Sequence, residues 1–529
     1  MSITTDPEAG GVRADGVYAV SRIRASLMAF AVGKAISAPL SLLLILMLAA
    51  VMPRAEYASY VAATAMLEIG VVLGPLGIEW VLQTTIAGIR VNGNAAQLRR
   101  ATLLLGALPF LTYGALSAAI FYLATPISAM LGGVAPPELV RLYAIVLAIE
   151  GPTRVLRDGL MAALLLQQTA QISLVLRVAL VFAMTGGMVA VGEPIEAVDV
   201  AHAECFASLA ALITVLIALA VHLHRARPRT EMSAAIGAWL GWRSAGFASH
   251  AYGSIVLMLL IGTDVMTALV ARFLGAEATA AFGFVVRLIE IVRRYLPLDM
   301  FWGVLRPAAI GRHEAGGRAF APLMRDCNHM IDANLLVIGA ALALALAMGD
   351  VGVSLLSGGR VQTPLLLPAL LLPLLITHTV RRVVELAAYT RGHSGAFVRA
   401  ALVCLLAPAL SALALAQSGS PHAGVVVVLA VDLLFTGLAV AGMRARGDRM
   451  HFNLSRWRAL ALSCAIGGGV GAAVALAIRP LGPPLVVTGV AVFVTLISFA
   501  LAVVGLRVVG ADDRLWLNTV LRPRAAPST

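Results

Sequence analysis

The chain has 529 residues, of which 60% are hydrophobic and only 12% are charged. Soluble proteins contain about 25% charged residues. This composition therefore excludes an ordinary soluble enzyme and indicates a polytopic membrane protein. The net charge of +12 would suggest a nucleic-acid partner in a soluble chain, but its distribution follows membrane topology, so we expect no such partner.

Apolar stretches long enough to cross a bilayer follow one another between Ile23 and Val508. The first 21 residues are polar, which predicts an uncleaved first span instead of a signal peptide. We predict an all-α polytopic fold with about 14 transmembrane helices, with no soluble catalytic domain, no enzyme activity and no cofactor. The predicted spans are 27–52, 57–80, 101–123, 140–165, 172–192, 200–222, 248–269, 277–302, 328–349, 363–388, 397–417, 423–443, 459–478 and 485–508.

Arginines separate the two sides of the predicted bundle. If the N-terminus is cytoplasmic, the inner loops hold 17 arginines, whereas the outer loops hold only Arg54, Arg272, Arg360 and Arg479. The positive-inside rule then places both termini in the cytoplasm. We expect a location in the bacterial inner membrane, where the basic excess reflects topology.

Residues 58–90 and 280–312 carry one sequence pattern twice. Glutamate, proline, tryptophan and arginine match in a single register, which unrelated apolar segments do not produce easily. The pattern returns six spans later, so we predict two six-helix bundles in a parallel repeat, as in transporters built from two similar halves. Separated by 222 positions, Glu68-Ile69, Pro75-Leu76, Trp80, Ala87 and Arg90 recur as Glu290-Ile291, Pro297-Leu298, Trp302, Ala309 and Arg312.

Four regions follow from this repeat. We predict an N-terminal six-helix lobe (1–222), a cytoplasmic linker (223–247), a C-terminal six-helix lobe (248–443) and an appended pair of helices with a cytoplasmic tail (444–529). One face of the linker favours a helix lying on the membrane surface, although an ordinary linker explains the sequence as well. That face contains Met232, Ile236, Trp239, Leu240 and Arg243.

Charged residues lie inside the predicted spans, where each costs on the order of 2.5–3.5 kcal/mol. Helical spacing predicts that some neutralise each other, and a hydrated central cavity accounts for the rest. The i,i+4 pairs are Glu150–Arg154, Arg154–Asp158, Glu290–Arg294 and Arg381–Glu385, and Arg287–Glu290 is an i,i+3 pair.

Guanidinium groups collect in the half of the membrane assigned to the cytoplasm. There they would bind a phosphate or pyrophosphate by paired hydrogen bonds, although the positive-inside tendency also enriches arginine. Arg293 and Arg294 replace Val71 and Val72 of the first copy, so we expect the phosphate on the second lobe. The candidate substrate-binding residues are Arg154, Arg157, Arg177, Arg287, Arg293, Arg294, Arg381 and Arg382.

A second set of buried charges is suited to ion coupling or charge balance. Asp264 would carry a proton or sodium ion near the outer end of its span, and Lys34 would balance Glu68 or Glu79. The sequence contains no nucleotide-binding loop and no metal-ligand spacing, which argues against ATP-driven transport. The candidates of this set are Lys34, Glu68, Asp264, Glu290 and Glu385.

Two stretches resemble the MOP exporter superfamily, especially its Wzx-like polysaccharide flippases. They are MPRAEYASYVAATAMLEIGVVLGPLGIEWVLQ and VARFLGAEATAAFGFVVRLIEIVRRYL. In both, a short acidic outer turn (Arg54 to Tyr57; Leu274 to Glu277) precedes an aromatic residue (Tyr60 or Phe282). The first copy lacks the glycine that many relatives have in Glu-x-x-Gly. The resemblance implies two lobes around a cavity that opens alternately, and an undecaprenyl-pyrophosphate-linked oligosaccharide as cargo.

The same resemblance leaves rivals open. A MurJ-type lipid II flippase would share the extra pair of helices, whereas a MATE-like drug exporter would lack it and would need more aromatic residues than the 6% present. A membrane polymerase or ligase would need a larger outer loop. For a flippase, we expect lipid-linked oligosaccharide and membrane lipids as partners, together with the polymerase and glycosyltransferases of the same pathway.

Overall fold

The computed structural model describes residues 20–92, 95–225, 242–300, 320–363, 366–391, 393–481 and 483–509. Over these residues the chain is helical, with short turns and no strand, as predicted. In a bilayer every backbone polar group needs an internal partner, and an α-helix supplies it within one segment. The predicted face of the linker and the second-copy residues Trp302, Ala309 and Arg312 lie outside the described residues.

The described residues group into two compact units, 1–280 and 281–529. The predicted division with a linker at 223–247 stays a prediction. In unit 1 the helices are α1 Val20–Val51, α2 Arg54–Leu73, α3 Ile78–Asn92, α4 Ala95–Tyr122, α5 Ala124–Met130, α6 Pro137–Val155, a π-helical turn Leu156–Met161, α7 Gln167–Val191, α8 Ala197–Arg225 and α9 Trp242–Leu259. Helix α10, Thr263–Arg294, crosses the boundary.

Unit 2 continues with further helices. They are α11 Phe320–Leu356, α12 Leu367–Leu371, α13 Pro373–Thr390, α14 Ser394–Ala401, a 3₁₀ turn Leu402–Leu405, α15 Leu406–Ser418, α16 Pro421–Arg444, α17 Leu454–Ile478, a 3₁₀ turn Arg479–Leu481 and α18 Pro484–Gly505. Proline opens α6, α16 and α18, where its missing N–H costs no helical hydrogen bond. Gly192 and Gly419, in the left-handed region, end α7 and α15.

Twelve helical stretches in the described part are long and apolar enough to cross a membrane. The number fourteen therefore stays a prediction, and the difference has two sources. The predicted span 140–165 contains the charged helix α6, which is not among the twelve. The predicted spans 248–269 and 277–302 fall in one stretch of 46 residues, Ser249–Arg294, although the backbone of Gly275 inside α10 is not helical and kinks the chain between them.

The two copies of the repeat break their helices at the same point. In the first copy α2 ends at Leu73, and α3 begins after the turn that contains Pro75. In the second copy α10 ends at Arg294, and a short helical segment resumes at Pro297. Asn334 accepts a hydrogen bond from the backbone N–H of Leu298 at 2.8 Å, which fixes this break onto α11.

Helices α17 and α18, the predicted appended pair, pack closely with α11. Glycines line the contact, because a Cβ at Gly471 would lie 1.9 Å from Thr495 Oγ1 and one at Gly468 would lie 2.9 Å from Leu346 Cβ. Small residues permit such close packing between membrane helices. Nearer the start of α17, an apolar cavity of about 290 Å³ opens beside the ion pair of Asp332 and Arg456.

Candidate functional site: two buried ion networks

Unit 1 contains a chain of alternating charges that links four helices, called here the N-terminal ion network. Its members are Glu68 of α2, Glu150 and Arg154 of α6, Arg177 of α7 and Glu204 of α8. All five lie inside segments that the sequence identifies as membrane spans. Buried charges require partners, and each of these residues has one.

Arg154 is held between two carboxylates. Its two terminal nitrogens donate to the two oxygens of Glu68 at 2.7 and 2.9 Å, and its Nε donates to Glu150 at 2.9 Å. A planar guanidinium matches a carboxylate in this paired geometry. The predicted pair of Glu150 and Arg154 is thus confirmed, and Glu68 has Arg154 as a partner. The suggested role of Lys34 as a counter-ion for Glu68 or Glu79 stays a prediction.

Glu150 is the central residue of this network. Only 1% of its side chain is exposed, and its second oxygen lies 3.1 Å from Arg177 Nε. Arg177 also donates to Ser208 at 3.0 Å and lies 3.8 Å from Glu204. One carboxylate therefore compensates two guanidiniums that come from different helices.

The predicted pair of Arg154 and Asp158 is wrong. A π-helical turn begins at Leu156, and its i→i+5 hydrogen bonds change the register after Arg154. Asp158 instead accepts two hydrogen bonds from its neighbour Arg157, at 3.0 and 3.2 Å. Arg157 is buried, and its Nη1 has no hydrogen-bond partner in the described part of the chain.

Unit 2 contains a second cluster, called here the C-terminal ion network. Its members are Asp299, His378, Arg381, Arg382, Glu385 and Asp432. Helix α13 supplies four of them, since His378, Arg381, Arg382 and Glu385 occupy successive turns of one face. Asp299 follows α10, and Asp432 lies in the middle of α16.

Arg381 connects α13 to α16. Its Nη1 donates to Asp432 Oδ1 at 2.6 Å, and its Nη2 contacts His378 Nδ1 at 3.1 Å. The other oxygen of Asp432 accepts a hydrogen bond from Thr377 at 2.5 Å. The side chain of Asp432 is 4% exposed, so its charge requires this arginine.

The predicted pair of Arg381 and Glu385 is also wrong. Arg381 is drawn to the buried Asp432 on the neighbouring helix, and Glu385 takes Arg382 at i,i+3 spacing, 3.6 Å away. Arg382 also lies 3.9 Å from Asp299. Asp299 in turn contacts His378 Nε2 at 3.3 Å.

The second copy of the repeat adds arginines beside this network. Glu290 pairs with Arg293 at 3.2 Å, and the Arg293 side chain is 43% exposed. Arg287 is half-buried and Arg294 is exposed. The pairs of Glu290 with Arg294 and with Arg287 stay predictions.

The predicted coupling residues Lys34 and Asp264 lie on α1 and α10. The Lys34 ammonium is 5.6 Å from the centre of the Phe30 ring, a cation–π distance. Asp264 lies in the first turn of α10, where a negative charge is favoured by the helix dipole. Among the described residues, no group of three or more His, Cys, Asp or Glu side chains is arranged to hold a metal ion.

Sequence reasoning missed Asp432, His378, Thr377 and Ser208. A signal for Asp432 was present: it follows Glu204 by 228 positions, nearly the 227 that separate Arg154 from Arg381. The same shift of 227 takes Arg177 to Cys404, a buried thiol. Unit 2 thus lacks an arginine at the place where Arg177 bridges two carboxylates in unit 1.

A third ion cluster lies outside the spans. Asp448, in the loop after α16, accepts two hydrogen bonds from Arg391 at 2.8 and 2.9 Å and contacts His393 Nε2 at 3.1 Å. Burial alone would raise the pKa of the Asp448 carboxyl, but the Arg391 and His393 contacts outweigh burial and lower it. This cluster joins the two loops at the ends of α13 and α16.

No protein-family model matches this sequence, and no curated protein matches it. Solved structures do share its fold. A lipid II flippase MurJ in an inward closed conformation aligns over 90% of this chain and 98% of its own, with a TM-score of 0.62 and 9% identity. An outward-facing multidrug resistance MATE family transporter of the MOP superfamily aligns over 80% and 95%, with a TM-score of 0.53 and 12% identity.

A MOP superfamily transporter from Pyrococcus furiosus, described by the reverse polarity of its binding pocket, is similar at the same level. It covers 80% of this chain and 94% of its own, with a TM-score of 0.52 and 12% identity. At these identities the likeness establishes the fold alone. The chain has the helical fold seen in MOP superfamily transporters.

Proposed function

We propose that this protein is a flippase that moves an undecaprenyl-pyrophosphate-linked oligosaccharide from the inner to the outer leaflet of the bacterial inner membrane by alternating access. The observation that carries the proposal is the cationic face of unit 2. There Arg293 and Arg382 keep 43% and 35% of their side chains exposed beside buried carboxylates. Both termini would then be cytoplasmic.

The exposed arginines fit a pyrophosphate head group. Guanidinium groups bind phosphate by paired hydrogen bonds, and each charge-assisted hydrogen bond contributes about 1.5–3 kcal/mol. Arg293 lies 3.2 Å from Glu290 and Arg382 lies 3.6 Å from Glu385, whereas Arg154 and Arg381 contact carboxylates at 2.7 and 2.6 Å.

In the N-terminal ion network, carboxylates already occupy Arg154 and Arg177. Arg157 is occupied by Asp158 beside that network. We assign head-group binding to Arg287 and Arg294 of the repeat and to Arg293 and Arg382, whose side chains are 43% and 35% exposed. We treat Arg154, Arg157, Arg177 and Arg381, whose side chains are at most 24% exposed, as residues that stabilise the fold around the cavity. Glu290 and Glu385 would hold the exposed arginines in place between transport cycles.

A lipid II flippase is the second candidate, because the similar MurJ structure aligns over more of this chain than the drug exporter does. Both cargoes share a polyprenyl pyrophosphate, and the arginines would bind either. A MATE-like exporter and a membrane polymerase or ligase have less support. The first would not need this cationic face, and the described fold is shared with transporters.

The proposal is tested by Arg293→Ala and Arg382→Ala in a bacterium that depends on this protein for its surface polysaccharide. We expect undecaprenyl-linked glycan to accumulate on the cytoplasmic leaflet, because losing one charge-assisted contact lowers affinity by about tenfold or more. Arg399→Ala is the matched control, since Arg399 is exposed on α14 and removes the same charge.

Mass spectrometry of the accumulated lipid separates the two cargoes. An oligosaccharide on undecaprenyl pyrophosphate supports the proposal, whereas accumulated lipid II assigns the second candidate. Normal surface polysaccharide in both variants, with the protein folded in the membrane, would overturn the head-group assignment.

A further inference from the structure

His378 is held between groups of opposite charge. Its Nε2 lies 3.3 Å from Asp299 Oδ1, and its Nδ1 lies 3.1 Å from Arg381 Nη2. Arginine has hydrogen-bond donors and no acceptor. Nδ1 must therefore accept from Arg381, and the imidazole is neutral with its proton on Nε2, directed at Asp299.

Each helix packed around His378 contributes a charged or polar group to its surroundings. Arg381 and Arg382 lie on the same helix as His378, α13. Arg293 lies at the end of α10, and Asp299 lies in the segment that follows. Asp432 lies on α16. Helix α11 presents the neutral Asn334, which donates to Thr379, whereas its Asp332 is occupied by Arg456. The imidazole thus has one carboxylate on its donor side and a guanidinium on its acceptor side.

We propose that His378 binds the proton that drives the transport cycle, and that Arg381 is the group it displaces. This proposal rests on the proposed function and adds the coupling ion to it. A proton that adds to the lone pair of Nδ1 ends the hydrogen bond from Arg381 Nη2 and places two cations face to face. No covalent bond breaks.

Displacement of Arg381 from His378 would change the contacts of Arg381, of the imidazolium and of Arg382. Arg381 retains Asp432 through Nη1 but leaves the imidazolium, which changes the contact between α13 and α16. The imidazolium binds Asp299 more strongly, because a hydrogen bond between two charged groups is about twice as strong as a neutral one. Arg382, 3.9 Å from Asp299, then has a weaker hold on that carboxylate and turns to the head group.

The protonation state is measured directly by NMR of the full chain in nanodiscs, with histidine labelled by nitrogen-15. The signal lost in His378→Gln identifies His378. We expect a neutral imidazole with the proton on Nε2 at alkaline pH and an imidazolium on acidification. A proton on Nδ1 at alkaline pH, or an imidazole that stays neutral wherever the protein is folded, would overturn the proposal.

The coupling to Arg381 is measured by hydrogen–deuterium exchange on the same sample at two pH values, corrected for the intrinsic pH dependence of exchange. We expect acid to increase exchange in α13 and α16, and this response to be lost in His378→Gln. His202→Gln is the control, because His202 is exposed in unit 1. An unchanged response in His378→Gln contradicts the proposal.

These measurements need no cargo lipid, so their outcome does not depend on the outcome of the glycan assay. A pH response that requires His378, together with normal surface polysaccharide in the arginine variants, would keep the proton site and reject the proposed cargo. Absence of any pH response in the protein with His378 intact, together with glycan accumulation in the arginine variants, would keep the proposed cargo class and reject the proton site.

Discussion

The two ion networks occupy equivalent helices of a duplicated sequence, yet they balance charge in different ways. In unit 1 the arginines alternate with carboxylates, and Glu150 is shared by Arg154 and Arg177. In unit 2 the position equivalent to Arg177 is Cys404, and Arg381 reaches Asp432 directly. The second copy also adds exposed arginines that the first copy lacks.

The difference separates two kinds of ion pairing. Glu150 and Glu204 of unit 1 are buried, and removing one partner of a buried pair leaves an uncompensated charge. Half-exposed arginines, by contrast, lose little when they change partners, since exposed ion pairs contribute about 0–1 kcal/mol. We therefore expect the pairs of unit 1 to contribute more to stability than those of Arg293 and Arg382 in unit 2.

Glu150→Gln is expected to cause the largest loss of stability. It leaves Arg154 and Arg177 without their shared carboxylate, at a cost of about 3–5 kcal/mol for a broken buried pair. Thermal unfolding of the purified protein in detergent measures the loss. Glu138→Gln is the control, because Glu138 is exposed near the start of the same helix. Equal unfolding temperatures for the two variants would remove the central role of Glu150.

The carboxylates at the equivalent positions of α8 and α16 are expected to differ. Asp432→Asn removes a partner 2.6 Å from Arg381 and should lower stability by roughly 3 kcal/mol. Glu204→Gln acts across a longer distance of 3.8 Å and should cost less. Unfolding temperatures of both variants test the order. A larger effect of Glu204→Gln would mean that unit 2 is the more tightly paired one.

The matching glutamates of the repeat give a smaller contrast. Glu68→Gln loses a paired contact with Arg154 and should lower stability by about 2 kcal/mol. Glu290→Gln loses a contact with a half-exposed arginine, which is worth less than about 1 kcal/mol. The same unfolding assay compares them, and similar losses would show that the two copies hold their arginines alike.

Asp448→Asn is expected to have the smallest effect, about 1 kcal/mol, because asparagine still accepts from Arg391. The carboxyl pKa is lowered in the folded state, so its stabilisation is present above the ordinary aspartate value of about 3.9 and is lost as the pH falls through the folded value. The two proteins should differ at pH 7 and converge as the pH falls through the folded pKa of the Asp448 carboxyl, both carrying His393→Gln so that His393 does not titrate. A difference that grows on acidification would reverse this sign.

Hydropathy predicted the helical fold well, because a membrane span needs a long apolar run and a backbone whose N–H and C=O groups hydrogen-bond within the same segment. The predicted division between spans 248–269 and 277–302 coincides with the non-helical Gly275 inside α10, whereas the break between α9 and α10 at Leu260 to Gly262 was not predicted. The pairings were harder. The π-helical turn after Val155 depends on packing, not on residue spacing, so the contact between Arg154 and Asp158 was predicted where none forms.

The candidate site was predicted in part for the same reason. Local spacing identified Glu150 with Arg154, a contact within one helix. The contacts of Arg381 with Asp432 and of Arg154 with Glu68 join distant helices, and their geometry depends on how those helices pack. Asp432 could have been predicted only from the repeat, since it follows Glu204 at nearly the same offset that separates Arg154 from Arg381.

The glycines of α17 define which paths are open to a lipid chain. At Gly468 and Gly471 the helix lies against α11 and α18 with no space for even one added carbon atom. A hydrocarbon tail therefore has no passage at this level. If the cargo is the polyprenyl-linked lipid proposed above, its chain must pass along another seam of the protein.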